Sequence, residues 1–307
     1  MLYALDGRRM QDRAGMHDHL TARLRLPAYY GRNLDALHDV LSEREGGEIV
    51  LEHAADMPDG LKAGLLAVLS DLAPAFRLTV TDGVLPGRIR AVIFDMDGVM
   101  VDSEPRHIRA CDGIVRRISG GAHGASEVHT VGISTVELYR RALAYCGAEG
   151  DPKTLAKEHF DTTLRLIREE IPQPDEALIP LLQALKADGV RIAVASSSPR
   201  DYVEAVLALY GLTDLFELVM TGSDVSTLKP DPGIYLTACE RLGLSPAEAA
   251  ALEDSHIGTM AATGAGLYTI GYYNPGCGRQ DLSLADAIVD GFADVRTLLK
   301  REGLIGA

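Results

Sequence analysis

Residues 94–104 read FDMDGVMVDSE, and the run AVIF at 91–94 leads into them. A short apolar run that ends abruptly in acids reads as a buried strand delivering Asp95 to its carboxyl end. Asp97 follows two residues later, and Gly98 frees the backbone for a close approach. Two carboxylates so near each other must share a cation or divide into an ionised and a protonated member, because like charges raise each other's pKa. Such a division is what a nucleophile beside a general acid requires.

Downstream the pattern continues. VRIAVA, LVM, AALE and YTIGY are further strand-like runs with helical segments between them, the alternation of a parallel sheet covered by helices on both faces. In such sheets ligands gather at the carboxyl ends of the strands, and the polar clusters fall there. VRIAVASSS ends in Ser196, Ser197 and Ser198, whose hydroxyls and backbone N–H groups can cradle phosphate oxygens, although a serine cluster also serves as a turn or helix cap. Leu228-Lys229-Pro230-Asp231-Pro232 holds one lysine between an extended segment and a proline-started helix, placed to offset both a phosphate and a carboxylate. ALEDSHIGTMAATGAG (251–266) ends its strand in Glu253-Asp254, hard oxygen donors of the kind Mg2+ takes. Between Val99 and about Gln173 the strands stop, and helical stretches such as Thr135–Tyr145 and Thr154–Glu170 suggest an inserted helical cap.

Asp95-x-Asp97-Gly98, Ser196, Lys229-Pro230 and Glu253-Asp254, in that order over residues 88–274, closely resemble the four motifs of the haloacid dehalogenase-like (HAD) superfamily. FDMDGVMVDSE resembles the subgroup of β-phosphoglucomutase and small sugar-phosphate phosphatases. The resemblance implies a doubly wound α/β core with an inserted C1 cap, Mg2+ as cofactor and a small phosphorylated metabolite as substrate. It implies that Asp95 attacks phosphorus and binds the metal. Asp97 would protonate the leaving oxygen and then activate water, with its carbonyl on the metal. Ser196 and Lys229 would hold the phosphoryl group, with Met96, Gly98 and Ser197 beside it. Asp254 would ligate the metal, with Glu253 ligating or orienting. His107 and Arg106, just after the first motif, are candidates for the substrate mouth. In mutases of the subgroup a cap loop Gly-x-Ser-Arg grips a second phosphate; the matching stretch here is Gly132-Ile133-Ser134-Thr135, with threonine for arginine, which favours a phosphatase over a mutase unless Arg140, Arg141 or Lys157 substitutes.

The first 80 residues form a separate α/β pattern. Leu2–Leu5 is a short apolar start, short strands are expected at Glu48–Leu51 and Leu78–Thr81, and helices at Asp18–Leu26, Asn33–Leu41 and Leu61–Leu72, the last two with leucines at helical spacing. LPAYYGRNLDALHDVL (26–41) resembles the barstar family of small acidic ribonuclease inhibitors. That resemblance implies a protein-binding face carrying Asp35 and Asp39, one helical turn apart, with Tyr29 and Tyr30. The partner would be a ribonuclease or other basic protein. His38, where the family commonly has tryptophan, and Arg32 depart from its pattern. The expected organisation is a barstar-like domain at 1–82, a linker at 83–89 with its boundary near Gly87, a HAD core at 90–98 and 174–307, and a cap at 99–173.

Composition agrees with this reading. The chain has 307 residues, 47% apolar and 24% charged, with a formal net charge of −14. So acidic a surface disfavours nucleic acid, whose non-specific binding depends on Lys and Arg. No apolar run approaches the roughly 18 residues of a membrane span. The start, MLYALDGRRM, lacks the pattern of a secretory signal, so the cytoplasm is the expected compartment. Cys111, Cys146, Cys239 and Cys277 form no CxxC pair and are read as reduced thiols.

Overall fold

The computed structural model describes residues 1–306 except 74, 84, 86, 87, 129–132 and 276–279. Gly87, Gly132 and Cys277, singled out above, therefore lie outside the described residues. The N-terminal elements are β1 (Leu2–Asp6), α1 (Arg13–Leu24), α2 (Leu34–Ser42), β2 (Gly47–Glu52), α3 (Asp59–Asp71) and β3 (Phe76–Val80). The strands form a parallel sheet in the order β1-β2-β3. The first helix begins five residues earlier than its expected start at Asp18 because Asp12 caps it, its side chain accepting from Gly15 N. Asn33 caps α2 in the same way through Ala36 N. Leu20, Leu24, Leu37, Leu41, Leu65 and Leu69 pack with Leu5, Ile49 and Leu51 as one apolar cluster.

A second sheet follows. Its elements are β4 (Ala91–Phe94), the helices α4 (Glu104–Ile118), α5 (Thr135–Cys146) and α6 (Pro152–Glu170), and then α7 (Leu178–Ala187), β5 (Arg191–Ala195), α8 (Arg200–Leu209), β6 (Leu218–Met220), α9 (Gly233–Arg241), β7 (Ala249–Glu253), α10 (His256–Ala265), β8 (Tyr268–Tyr272), β9 (Ala287–Val289) and α11 (Phe292–Arg301). The six strands are all parallel, in the order β6-β5-β4-β7-β8-β9. Alternation along β4 sends Val92 and Phe94 into a cluster with α7, α8 and α11, and Ala91 and Ile93 into one with α9 and α10. From β4 the chain builds outward through β5 to β6 and then crosses back to β7 on the other side of β4, a switch that opens a crevice at the carboxyl end of β4. The edge strand β9 was not anticipated: Ala287-Ile288-Val289 is only three residues long, too short to register as a pattern.

The helices α4, α5 and α6 build their own apolar core from Cys111, Ile114, Val115, Leu138, Tyr139 and Leu143. Ser134 caps α5 through Glu137 N, and Asp151 caps α6 ahead of Pro152.

Arginines join the two sheets. From α1 and the segment before it, Arg9 donates to Ala285 O, Arg23 to Leu267 O and the Asp286 carboxylate, and Arg25 to Ala265 O. Arg88 is buried, pairs with Glu52 of β2 at 3.0 Å, and also donates to Ala247 O. No helix among the described residues is long and apolar enough to cross a membrane. Cys111, Cys146 and Cys239 are free thiols.

Candidate active site

Strand register assembles the site. Phe94 pairs with Val194 on one side and Leu252 on the other, so the next residues of the three central strands, Asp95, Ala195 and Glu253, emerge side by side. Lys229 arrives from the loop after β6 and bridges all three: its Nζ lies 2.6 Å from Asp95 Oδ1, 2.7 Å from Ala195 O and 2.6 Å from Glu253 Oε1. The ammonium also stands 5.1 Å from the centre of the Tyr235 ring, whose hydroxyl donates to the same Glu253 oxygen. Burial works against the lysine's charge, but Asp95 and Glu253 outweigh it and hold the group above its usual range.

The two aspartates of the first motif sit in unlike surroundings. Burial pushes Asp95 well above the ordinary carboxylate range; Lys229 pulls it back, and Glu253 and Asp254 push it up again. Asp97 is ringed by donors. Ser103 Oγ at 2.6 Å, Tyr202 Oη at 3.2 Å and His107 Nε2 at 3.4 Å face its Oδ1, and Ser198 Oγ at 2.7 Å faces its Oδ2. Burial would raise this group, yet His107 and the two serines bring it down to about 2. One carboxylate is thus held by a lysine and the other by hydroxyls and an imidazole.

Asp95, Glu253 and Asp254 can bring one oxygen each within 4.8 Å of one another. Three buried carboxylates with one lysine carry an excess of negative charge, and their all-oxygen donor set fits a hard divalent cation. Glu253 Oε1 already takes Lys229 and Tyr235, while its Oε2 is buried with no hydrogen-bond partner among the described residues. Asp254 closes over Gly98, which has φ +85, and its carbonyl accepts from Gln280 Nε2 at 2.7 Å. The Gly98 carbonyl accepts from Asn274 Nδ2 at 2.9 Å.

These groups open into a cavity of about 1330 Å3 between the sheet and the cap helices. Asp95, Asp97, Gly98, Ser196, Ser197 and Lys229 line its floor, with Glu253, Asp254 and His107. Ser197 Oγ is buried there with no hydrogen-bond partner among the described residues. The roof includes Ile133, Ser134, Thr135, Lys153, Lys157 and Phe160. Three expectations need correction. Arg106 does not reach the cavity, because Asp102 and Glu170 hold its guanidinium. Met96 is wholly buried in the apolar core, which leaves only its main chain for the site. Arg140 and Arg141 are both paired with Glu137 and are absent from the lining, whereas Lys157 is part of it.

The N-terminal candidates separate similarly. Tyr29 is 76% exposed, and Asp35 and Asp39 are exposed on α2. Tyr30, expected beside them, is instead buried, with its hydroxyl 2.6 Å from His17 Nδ1. It is a core residue.

Comparison with known proteins follows the same division. Residues 89–266 match the family model for haloacid dehalogenase-like hydrolase, more than half of the chain. The chain belongs to the haloacid dehalogenase-like hydrolase family. Residues 1–80 match the model for Barstar (barnase inhibitor). Among curated relatives, a phosphoglycolate phosphatase of Pectobacterium atrosepticum is 32% identical over 69% of this chain and 92% of its own length. A beta-phosphoglucomutase of Bacillus subtilis is 30% identical over 60% and 83%. The solved structure of CbbY from Rhodobacter sphaeroides in complex with phosphate aligns with a TM-score of 0.60 and 27% identity, covering 67% of this chain and 96% of that one. With phosphatase relatives at about this identity, the HAD-like hydrolase is a phosphoric monoester hydrolase.

Tyr202, Tyr235, Gln280 and Asn274 were not foreseen in this HAD-like hydrolase. The tyrosines lie on helices one or two turns beyond Ser198 and Lys229 but bond Asp97 and Glu253, and nothing in the local pattern distinguishes them from core residues. Ser103 and Ser198 were within the motif stretches already quoted.

Proposed function

We propose that the protein is a Mg2+-dependent phosphatase of small phosphomonoesters, sugar phosphates or similar metabolites, acting through an aspartyl phosphate on Asp95. The observation that carries this reading is the unequal treatment of Asp95 and Asp97 at the end of one strand: a nucleophile fixed by Lys229, and an acid–base group fixed by four donors.

Asp95 Oδ attacks phosphorus while the bond to the leaving oxygen breaks, and that oxygen takes a proton from Asp97. Water then attacks the acyl phosphate, giving its proton to Asp97 as the Asp95–phosphorus bond breaks and phosphate leaves. In the free protein Asp97 is ionised; the negative phosphoryl group arriving beside it favours its protonated form. Lys229 and the hydroxyls of Ser196 and Ser197 hold the equatorial oxygens. Asp95, the Asp97 carbonyl and Asp254 would hold Mg2+, with Glu253 orienting Lys229 behind them. When bound, the ion supplies charge that offsets the transferring group.

Hydrolysis is favoured over mutase chemistry because Thr135 takes the place of the arginine that would grip a second phosphate, Arg140 and Arg141 are spent on Glu137, and Lys157, which does line the roof, is paired with Asp161. The N-terminal unit supports a second, compatible role. Tyr29, Asp35 and Asp39 offer an aromatic and acidic face for a ribonuclease or other basic protein, which calorimetric titration with a basic ribonuclease would detect and Asp39→Ala would weaken. In the rest of the chain, the free thiols of Cys111, Cys146 and Cys239 fit a cytoplasmic setting.

The test is phosphate release from a panel of sugar phosphates and other small phosphomonoesters, with Mg2+ or with EDTA, by wild type and Asp95→Asn. Magnesium-dependent release that the variant loses is expected. Equal release by the variant, above a contamination control, would overturn the mechanism.

A further inference from the structure

Behind Asp97, three cap side chains stand in line, one from each cap helix. Tyr139 Oη on α5 is 2.8 Å from His159 Nδ1 on α6, His159 Nε2 is 2.8 Å from His107 Nδ1 on α4, and His107 Nε2 faces Asp97 Oδ1. Tyr139 and His159 are buried and touch neither the cavity nor the substrate path.

A neutral imidazole has one N–H and one lone pair, so a chain of two imidazoles has a polarity, and its end decides which. Asp97 Oδ1 has only lone pairs to offer His107 Nε2, and Tyr202 Oη, 3.3 Å from the same nitrogen, gives its one proton to Asp97 at 3.2 Å and so presents a lone pair there too. His107 must therefore carry its proton on Nε2, which leaves Nδ1 to accept. Thr163 Oγ1 lies 3.3 Å from that nitrogen but donates its proton to His159 O at 2.9 Å, so the donor is His159 Nε2–H. His159 Nδ1 is left as an acceptor, and the Tyr139 hydroxyl fills it. Each proton in the line points toward Asp97.

We propose that His159 and Tyr139 are positioning residues that lock His107 in its Nε2–H tautomer and so hold the Asp97 carboxyl where it serves the leaving oxygen. The device rests on the reading of Asp97 as the acid–base group. It also makes a catalytic group of the core depend on all three cap helices being seated.

The experiment uses the full chain: 15N NMR of labelled histidine for the His107 tautomer, and hydrolysis of p-nitrophenyl phosphate with Mg2+, in wild type, His159→Leu, His159→Gln and Tyr139→Phe. Wild type should show a single neutral Nε2–H tautomer at His107. His159→Leu should mix the tautomers and lower kcat roughly 10- to 100-fold, part of what general acid–base catalysis contributes, with KM within about twofold. His159→Gln, whose amide can still donate, should recover most of the loss, and Tyr139→Phe, which removes one oxygen, should shift both readouts the same way but less. An Nδ1–H tautomer in wild type, or an unchanged tautomer and kcat in the folded His159→Leu and Tyr139→Phe proteins, overturns the proposal. Full activity in Asp97→Asn would instead overturn the acid–base reading and leave the tautomer lock standing.

Discussion

Asp254 occupies the space that a side chain at residue 98 would need: a Cβ built on Gly98 lies 2.0 Å from Asp254 Oδ2. The positive φ of +85 adds backbone strain for any other residue, about 1–2 kcal/mol for the left-handed region. Gly98→Ala should therefore push Asp254 out of its place and lower kcat/KM by about 100-fold or more, the scale of a misplacement near 1 Å. Phosphate release checks this, with circular dichroism to show that the fold persists.

Among the described residues, Lys229 is the sole cation on the two buried carboxylates of Asp95 and Glu253. Lys229→Met should abolish turnover and also destabilise the protein by about 3–5 kcal/mol near pH 8, because Asp95 and Glu253 are left facing each other unpaired. Urea unfolding measures the loss. Added Mg2+ should recover part of it, since the ion would replace some of the missing charge.

At the seam between the sheets, Arg88 and Glu52 are both buried. Removing the guanidinium alone, in Arg88→Met, should cost about 3–5 kcal/mol, whereas Arg88→Met with Glu52→Leu should lie near wild type, because no charge is then stranded. Equal unfolding midpoints for the single and double variants would contradict this account.

His19 accepts a hydrogen bond from Asp6 N at 2.9 Å through Nε2. Burial, and after it the charge of Arg23, lower this imidazole from its ordinary 6.5 to about 3. The unfolded chain thus binds the proton first as pH falls, so this histidine's contribution is intact above about pH 6.5 and is lost progressively toward pH 3. Urea midpoints between pH 7 and pH 4.5 should fall more steeply in wild type than in His19→Gln, whose amide oxygen can keep the Asp6 contact without taking up a proton.

The floor of the site was legible because its residues sit at strand ends, where an apolar run stopping in Asp, Ser or Glu is visible in one dimension. Asp95, Ser196 and Asp254 converge for that reason, and Lys229 joins them from the loop after β6. The groups that hold them were not legible. Tyr202 and Tyr235 lie on helices whose apolar spacing makes a tyrosine look like any other core residue, and the His107–His159 contact joins positions 52 apart. Arg106 misled by proximity: its neighbour His107 turns inward, and helical rotation of about 100° per residue turns Arg106 toward Glu170. Tyr30 did so within a motif read as a binding face, where alternate residues serve the interior.

At the joint between the two sheets, Arg9, Arg23, Arg25 and Arg88 all donate to main-chain carbonyls, those of Ala285, Leu267, Ala265 and Ala247. Every residue type presents that same oxygen. The hydrolase side can accordingly drift in amino-acid identity at these four positions without loosening the attachment, while the gripping side cannot exchange its guanidinium groups so freely. Four arginine codons, all upstream of the first catalytic strand, and that of Asp286, whose carboxylate Arg23 also takes, pin the two modules together.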